Sequence, residues 1–197
     1  MEETKHLDVE ILEKRKEKLK KKHDTLETPI EMESGLVEFE RCLIEDLELS
    51  IMLPIEFDLM PADVEVMKYP SSFRPLCIYT SPDYLINLNF THSPTEAVDS
   101  ALIDTTHTLK EIMERSMETS DFGKIKSFKK IKGYYFDFNQ QAMDGQLYHL
   151  WATTQINNQV YQLTFNCPFS KHESWESIVL QMWESIEPEE AQENERR

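Results

Sequence analysis

Gly133-Tyr134-Tyr135-Phe136-Asp137-Phe138-Asn139-Gln140-Gln141 opens the stretch that decides the fold. A turn at Met143-Asp144-Gly145 follows, then a run from Gln146 to Ile156, a second turn at Asn157-Asn158, and a run from Gln159 to Cys167. Side chains alternate faces along a strand, so Tyr134, Phe136 and Phe138 share one side and Tyr135 and Asp137 the other. In the second run Tyr148, Leu150, Ala152 and Ile156 oppose Leu147, His149, Trp151 and Thr153; in the third, Tyr161, Leu163 and Phe165 oppose Val160, Gln162, Thr164 and Asn166. Both turns hold residues that tolerate positive φ, which a tight hairpin needs. After Pro168, Ser170-Lys171-His172-Glu173 has the spacing of a capping box. Trp175, Ile178, Val179, Met182 and Ile186 then form one apolar helical stripe that needs a sheet to cover. A meander of three strands under a helix is the expected core.

Working outward, Val37 to Leu43 and Leu47 to Leu53 read as strands, with Pro54 ending the second. Val64 to Tyr69, Leu76 to Thr80 and Leu85 to Thr91 read as further strands. Ser93-Pro94-Thr95-Glu96 has the features of a helix start, with Ser93 at the N-cap and Pro94 at the first turn. That helix is expected to run to about Met117, burying Val98, Leu102, Leu109, Ile112 and Met113. The expected class is therefore α+β, an antiparallel β-sheet with helices packed on it as an α-β-α sandwich, plus an N-terminal helical arm. Four segments are expected: a charged helix at 1–24, an acidic linker at 25–35, the main domain at 36–187 and an acidic tail at 188–197.

A chain of 197 residues is long enough to bury a substantial core. Its net charge of −16 argues against a general nucleic-acid binder, because phosphates are repelled over most of the surface. The imbalance is local: Thr25 to Glu65 holds twelve acidic residues against Arg41 alone. Lys14, Arg15, Lys16, Lys18, Lys20, Lys21 and Lys22 form the opposite run, with Glu10, Glu13 and Glu17 at pairing distance along a solvated helix. The N-terminus shows no apolar core of a signal peptide and no lipidation cysteine, and no run is long and apolar enough for a membrane helix. Three cysteines, Cys42, Cys77 and Cys167, have no paired spacing and suit a reducing compartment. A cytoplasmic location without membrane insertion is the expectation.

The element order resembles a known family. Leu49-Ser50-Ile51-Met52-Leu53-Pro54, then short strands, Leu85-Ile86-Asn87-Leu88-Asn89-Phe90, a helix opened by Ser93-Pro94, a Gly-Tyr-Tyr strand, Val160 to Pro168 and a tryptophan-bearing last helix look like the PsbP/Mog-like sandwich, including its DcrB-like bacterial members. The resemblance spans about Leu36 to Ile186 and rests on fold-determining residues. It implies a non-catalytic domain working through protein surfaces, in assisting a membrane complex, binding a small GTPase or chaperoning secreted effectors. It transfers no functional residue, and the N-terminal helix and acidic linker depart from it.

No residue pattern points to chemistry. With only four glycines there is no phosphate-cradling loop, and no G-x-S-x-G, C-x-x-C or H-E-x-x-H occurs. Cys77 or Cys167 beside His92 or His149 would make a thiol nucleophile, but buried structural thiols are commonly inert. Glu45, Asp46, Glu48, Glu56 and Asp58 resemble paired carboxylates, yet a solvated acidic edge is the commoner meaning. No catalytic residue, metal or cofactor is expected.

Two sets of residues stand out as candidates for partner binding. Lys124, Lys126, Lys129, Lys130 and Lys132 lie on one expected strand, Ile125 to Ile131, with no acid between Asp121 and Asp137. They either meet an acidic partner or the chain's own linker, or protect a sheet edge from pairing. His149 and Trp151 share a face that becomes an interaction surface if both helices cover the other side. The expected function is a cytoplasmic protein-interaction module, adaptor or chaperone-like, with another protein as partner. An enzyme or small-ligand binder with an unrecognised site is the second reading, and a homo-oligomer through the N-terminal helix the third.

Overall fold

Asn157 and Asn158 both take positive φ, 48° and 63°, the left-handed pair that a two-residue hairpin turn demands. Around them the computed structural model describes residues 26–32, 35–71, 74–96, 101–117, 120–142 and 145–189, with backbone alone at 93–96. The meander is β10 (Gly133–Ala142), β11 (Gly145–Ile156) and β12 (Gln159–Pro168), paired without a break from Gly133↔Thr154 to Ala142↔Gly145 and from Ile156↔Gln159 to Leu147↔Pro168. It is the middle of an eight-stranded antiparallel sheet. β7 (Asn87–Glu96), β6 (Cys77–Thr80) and β5 (Asp58–Leu59) extend it beyond β12, while β8 (Asp121–Phe122) and β9 (Lys126–Ser127) both lie on the outer edge of β10.

One face of this sheet carries Leu88, Phe90, Leu150, Leu163 and Phe165, all shut off from solvent. Helix α3 (His172–Glu184) covers it with Trp175, Ile178, Val179, Met182 and Trp183. A small sheet of β3 (Phe39–Ile44), β4 (Leu49–Pro54) and β13 (Glu187–Pro188) adds Leu49, Ile51 and Leu53 to the same core. The opposite face holds a smaller cluster of Phe136 and Phe138 beneath Met113 of helix α2 (Ala101–Ser116). The fold is α+β, with helices on both sides of an antiparallel sheet.

Several local expectations yield to tertiary structure. The 25–35 stretch is not a linker: Leu26 and Ile30 are buried in the main core, and β1 (Ile30–Met32) pairs with β2 (Gly35–Val37). Pro188, assigned to the tail, pairs with Leu49 in the small sheet. Residues 62–68 form helix α1 (Ala62–Lys68) and not a strand; acids in its first turn and Lys68 in its last suit the helix dipole. Tyr69 anchors that helix to the sheet, its hydroxyl lying 3.3 Å from Asn89 Oδ1 and 3.2 Å from Asn166 Nδ2.

Ser93 is no N-cap, because β7 continues through Glu96 by pairing with β12. Pro94 is tolerated there: β6 reaches only to Phe90, and the register shifts between Gln159 and Val160, so a missing N–H breaks no ladder. Helix α2 is described over Ala101–Ser116 and buries Leu102, Thr106 and Met113; Ile112 is 56% exposed and Val98 lies outside the described residues. The capping box at Ser170 does not form either, since a 3-10 turn over Phe169–Lys171 leads into α3 with no side-chain cap. The 1–24 arm lies outside the described residues.

Candidate functional site

Three side chains of α2, Ile103, His107 and Lys110, fall at i, i+4 and i+7 on the flank beside its buried stripe. They form one wall of an open groove of about 570 Å³. The other wall is the chain from Phe122 to Ser127, and Tyr134 of β10 lies at its base. That second wall is pinned to the sheet edge by short pairings, Phe122↔Phe138 and Lys126↔Tyr135, and by Gly123 N donating to Asp137 O at 2.8 Å. Gly123 permits this approach, since a Cβ there would lie 2.3 Å from Asp137 Oδ1.

Among the described residues the groove is lined by three lysines and a histidine and by no aspartate or glutamate. Lys110 pairs with Glu114 on its own helix and stands 5.5 Å from the centre of the Phe122 ring. Lys126 sits 3.5 Å from Asp137 and 3.9 Å from Glu176, and 5.8 Å from the centre of the Tyr135 ring. Lys124 is exposed and makes no hydrogen bond or ion pair among the described residues. The Lys126 pairs are open to water and contribute little to stability, so that lysine is held loosely enough to exchange partners, whereas the Lys110 side chain is only 17% exposed. The apolar part of the lining comes from Ile103, Phe122 and Ile125 of the two walls and the ring of Tyr134. Such a surface can hold an anion and an apolar group side by side.

The lysines therefore do not share one strand. Only Lys126 and Ser127 are strand, and the segment divides. Lys124 and Lys126 enter the groove, whereas Lys129, Lys130 and Lys132 belong to the turn behind Phe128. Phe128 causes the split: it is buried between Tyr135, at 5.0 Å, and Trp183, at 6.2 Å between ring centres. Glu184 then holds the turn by accepting from Lys129 N at 2.7 Å. Sequence reasoning missed His107 and Lys110. Their signal is the helical spacing with Ile103, which is legible only once the neighbouring wall is known.

His149 and Trp151 do not form an open surface. The two helices lie on opposite faces of the sheet, and α2 covers this pair. His149 stacks on Phe138 at 4.5 Å with 4° between ring planes, and its Nε2 and the Trp151 Nε1 are buried without a hydrogen-bond partner. Burial pushes the His149 pKa down to about 4, because a charged imidazole would be desolvated there. Above pH 6.5 the ring is neutral in both the folded and unfolded chain. Below that the unfolded chain takes up a proton that the folded one refuses, so stability falls until pH 4, where both are protonated. Between pH 7 and pH 5 this term amounts to about 2 kcal/mol. Urea unfolding of the native chain and of His149→Gln at both pH values measures it. Equal pH slopes for the two proteins would remove His149 as the cause.

The thiols of Cys77 and Cys167 are buried and pushed up to about 12, so both stay protonated. All three cysteines are free, and Cys42 Sγ lies 3.6 Å from the Tyr79 hydroxyl. No cluster of three or more metal-ligating side chains occurs among the described residues. No helix among them is long and apolar enough to cross a membrane.

The antiparallel sheet with helices on both faces is an α+β sandwich, and comparison with solved structures supports a PsbP/Mog-like fold. The cyanobacterial PsbP protein (CyanoP) of Synechocystis is similar over 80% of this chain and 96% of its own, with a TM-score of 0.51 at 10% identity. A Bacteroides thetaiotaomicron protein matches 78% of this chain and 50% of its own, with a TM-score of 0.50 at 13% identity. The Ran-binding protein Mog1p of Saccharomyces cerevisiae matches 78% of this chain and 97% of its own, with a TM-score of 0.46 at 8% identity. The first two of these likenesses show the fold. No protein-family model matches the sequence, and comparison with curated proteins finds no match.

Proposed function

We propose that this protein is a non-catalytic, cytoplasmic interaction module of adaptor or chaperone-like type, and that it engages another protein through the groove between α2 and β8–β9. The observation that carries this reading is the lining itself: cations above an apolar floor, open to solvent, on a chain of net charge −16. Protein interfaces combine an apolar centre with a polar rim in this way. The buried titratable groups add support, being a neutral imidazole and two protonated thiols rather than a poised acid–base pair. Free thiols suit a reducing compartment.

A photo-crosslinking residue placed at Lys124, with Glu173 on the exposed side of α3 as the comparison position, tests the site in cells. One discrete protein adduct from position 124, missing from position 173, is the expected result. Identical adducts from both positions, or none from 124, would sink the proposal.

A further inference from the structure

We infer that the groove's occupant is an extended acidic segment of another protein, carrying one aliphatic or aromatic side chain among its carboxylates. This rests on the interaction-module reading and specifies its partner. Three features of the groove converge on it.

The first is charge. Among the described residues Lys110, Lys124 and Lys126 line a channel with no acid in its lining; Lys110 and Lys126 hold Glu114 and Asp137 beside it, and Lys124 has no ionic partner to surrender. The second is shape. β8 and β9 pair with β10 on one side only, so their outward N–H and C=O groups are unused by any strand among the described residues. A segment lying along Phe122 to Ser127 would be extended, about 20 Å long, and able to add main-chain hydrogen bonds to that edge. The third is the floor. Ile103, Phe122 and Ile125 offer nothing to a carboxylate and Tyr134 offers its hydroxyl alone, so a purely acidic peptide would leave the apolar side chains wet.

The chain's own acidic tail fits poorly. From Glu189 to Arg197 its one apolar residue is Ala191, too small to cover four large side chains. Glu187 and Pro188, just before it, are tied to β4 in the small sheet. The tail is therefore a poorer fit to the groove than an acidic segment of another protein that carries a large apolar side chain.

The probe is a fluorescein-labelled Glu-Asp-Glu-Leu-Asp-Glu peptide, titrated with the full chain by fluorescence polarisation. Binding should weaken about tenfold in Lys124→Glu, where an attractive contact becomes a repulsive one, and stay close to native in Lys124→Arg. It should weaken as salt rises, because the contacts are solvent-exposed charges. Exchanging the probe's leucine for glycine should weaken it about tenfold as well. Absence of binding, equal binding of a probe with glutamine at every acidic position, or indifference to Lys124→Glu would each overturn the inference. So would a peptide of residues 189–197 that competes as well as the leucine probe, which would make the tail the occupant. Crosslinking from position 124 with no peptide binding would retain the module and discard the acidic partner.

Discussion

Gly133→Ala is expected to destabilise the protein by about 4 kcal/mol, although it adds a single methyl group to a residue with ordinary strand geometry. Gly133 opens β10 and pairs with Thr154 of β11. A Cβ built there would lie 2.5 Å from the Thr153 carbonyl oxygen and 2.9 Å from Thr154 Cα. Both are backbone atoms, so no rotamer change relieves the contact; the two strands must separate. Separation reaches the hydrogen bonds that close this end of the hairpin. Lys132 O accepts from Gln155 N at 3.0 Å and from Thr154 Oγ1 at 2.8 Å, in a region where Thr154 is fully buried. Overpacking of this kind costs about 1–3 kcal/mol, and each lost internal hydrogen bond about 1 more.

The comparison that isolates the cause is Gly123→Ala. Its added carbon also comes too close to a neighbour, 2.3 Å, but the neighbour is the Asp137 carboxylate, which can swing away. That change should cost about 1 kcal/mol, mostly through the disturbed Lys126 contact. Urea unfolding followed by far-UV circular dichroism reads both. If the two alanines destabilise equally, close backbone approach is not what requires glycine at 133.

The Gly133 region also shows what sequence can reveal. Period-two alternation from Tyr134 to Phe165, with turn residues at two places, was sufficient to lay out β10, β11 and β12, because a half-buried strand repeats its environment every second residue. The stripe of α3 was legible for the same reason. Between them these elements and their order carry the PsbP/Mog-like resemblance that the three-dimensional comparison supports.

What failed was decided by partners distant in sequence. Ser93 to Glu96 has good helix-start chemistry, yet it is strand because β12 offers a ladder that local capping cannot match. Val64 and Val66 alternate like a strand but belong to α1, where Val66 is 52% exposed and no residue is buried. The five lysines looked like one surface; a single buried ring, Phe128, divides them into a groove set and a turn set. Whether His149 and Trp151 face solvent depends on which side of the sheet α2 takes, and periodicity holds no information on that choice. The groove is the extreme case. Its walls come from residues 103–110 and 122–134, and only packing of α2 against the sheet brings them together.

Trp183 was overlooked for a related reason and should be the costliest truncation in α3. It lies outside the stripe of Trp175, Ile178, Val179, Met182 and Ile186, one residue beyond Met182, where a helix facing a flat sheet would be turning towards solvent. Yet its exposure is 0%. The cover comes from the lysine turn: Phe128 meets the Trp183 ring edge-on, 6.2 Å between centres at 81°, and Phe128 in turn packs on Tyr135. Edge-to-face contact matches the positive rim of one ring to the negative face of the other. Trp183→Ala removes the ring and leaves a cavity roofed by Phe128, at an expected loss of about 3–5 kcal/mol. Trp183→Phe behaves differently. It keeps an aromatic ring for Phe128 and discards the indole Nε1, which is buried without a hydrogen-bond partner. The smaller ring loses some contact, but the unsatisfied donor disappears with it, so the loss should stay below about 2 kcal/mol. Unfolding of both variants in urea gives the two numbers. A Trp183→Ala loss under about 1 kcal/mol would mean that the Phe128 turn collapses into the space, and then the turn, rather than α3, would be the adaptable element at this edge of the sheet.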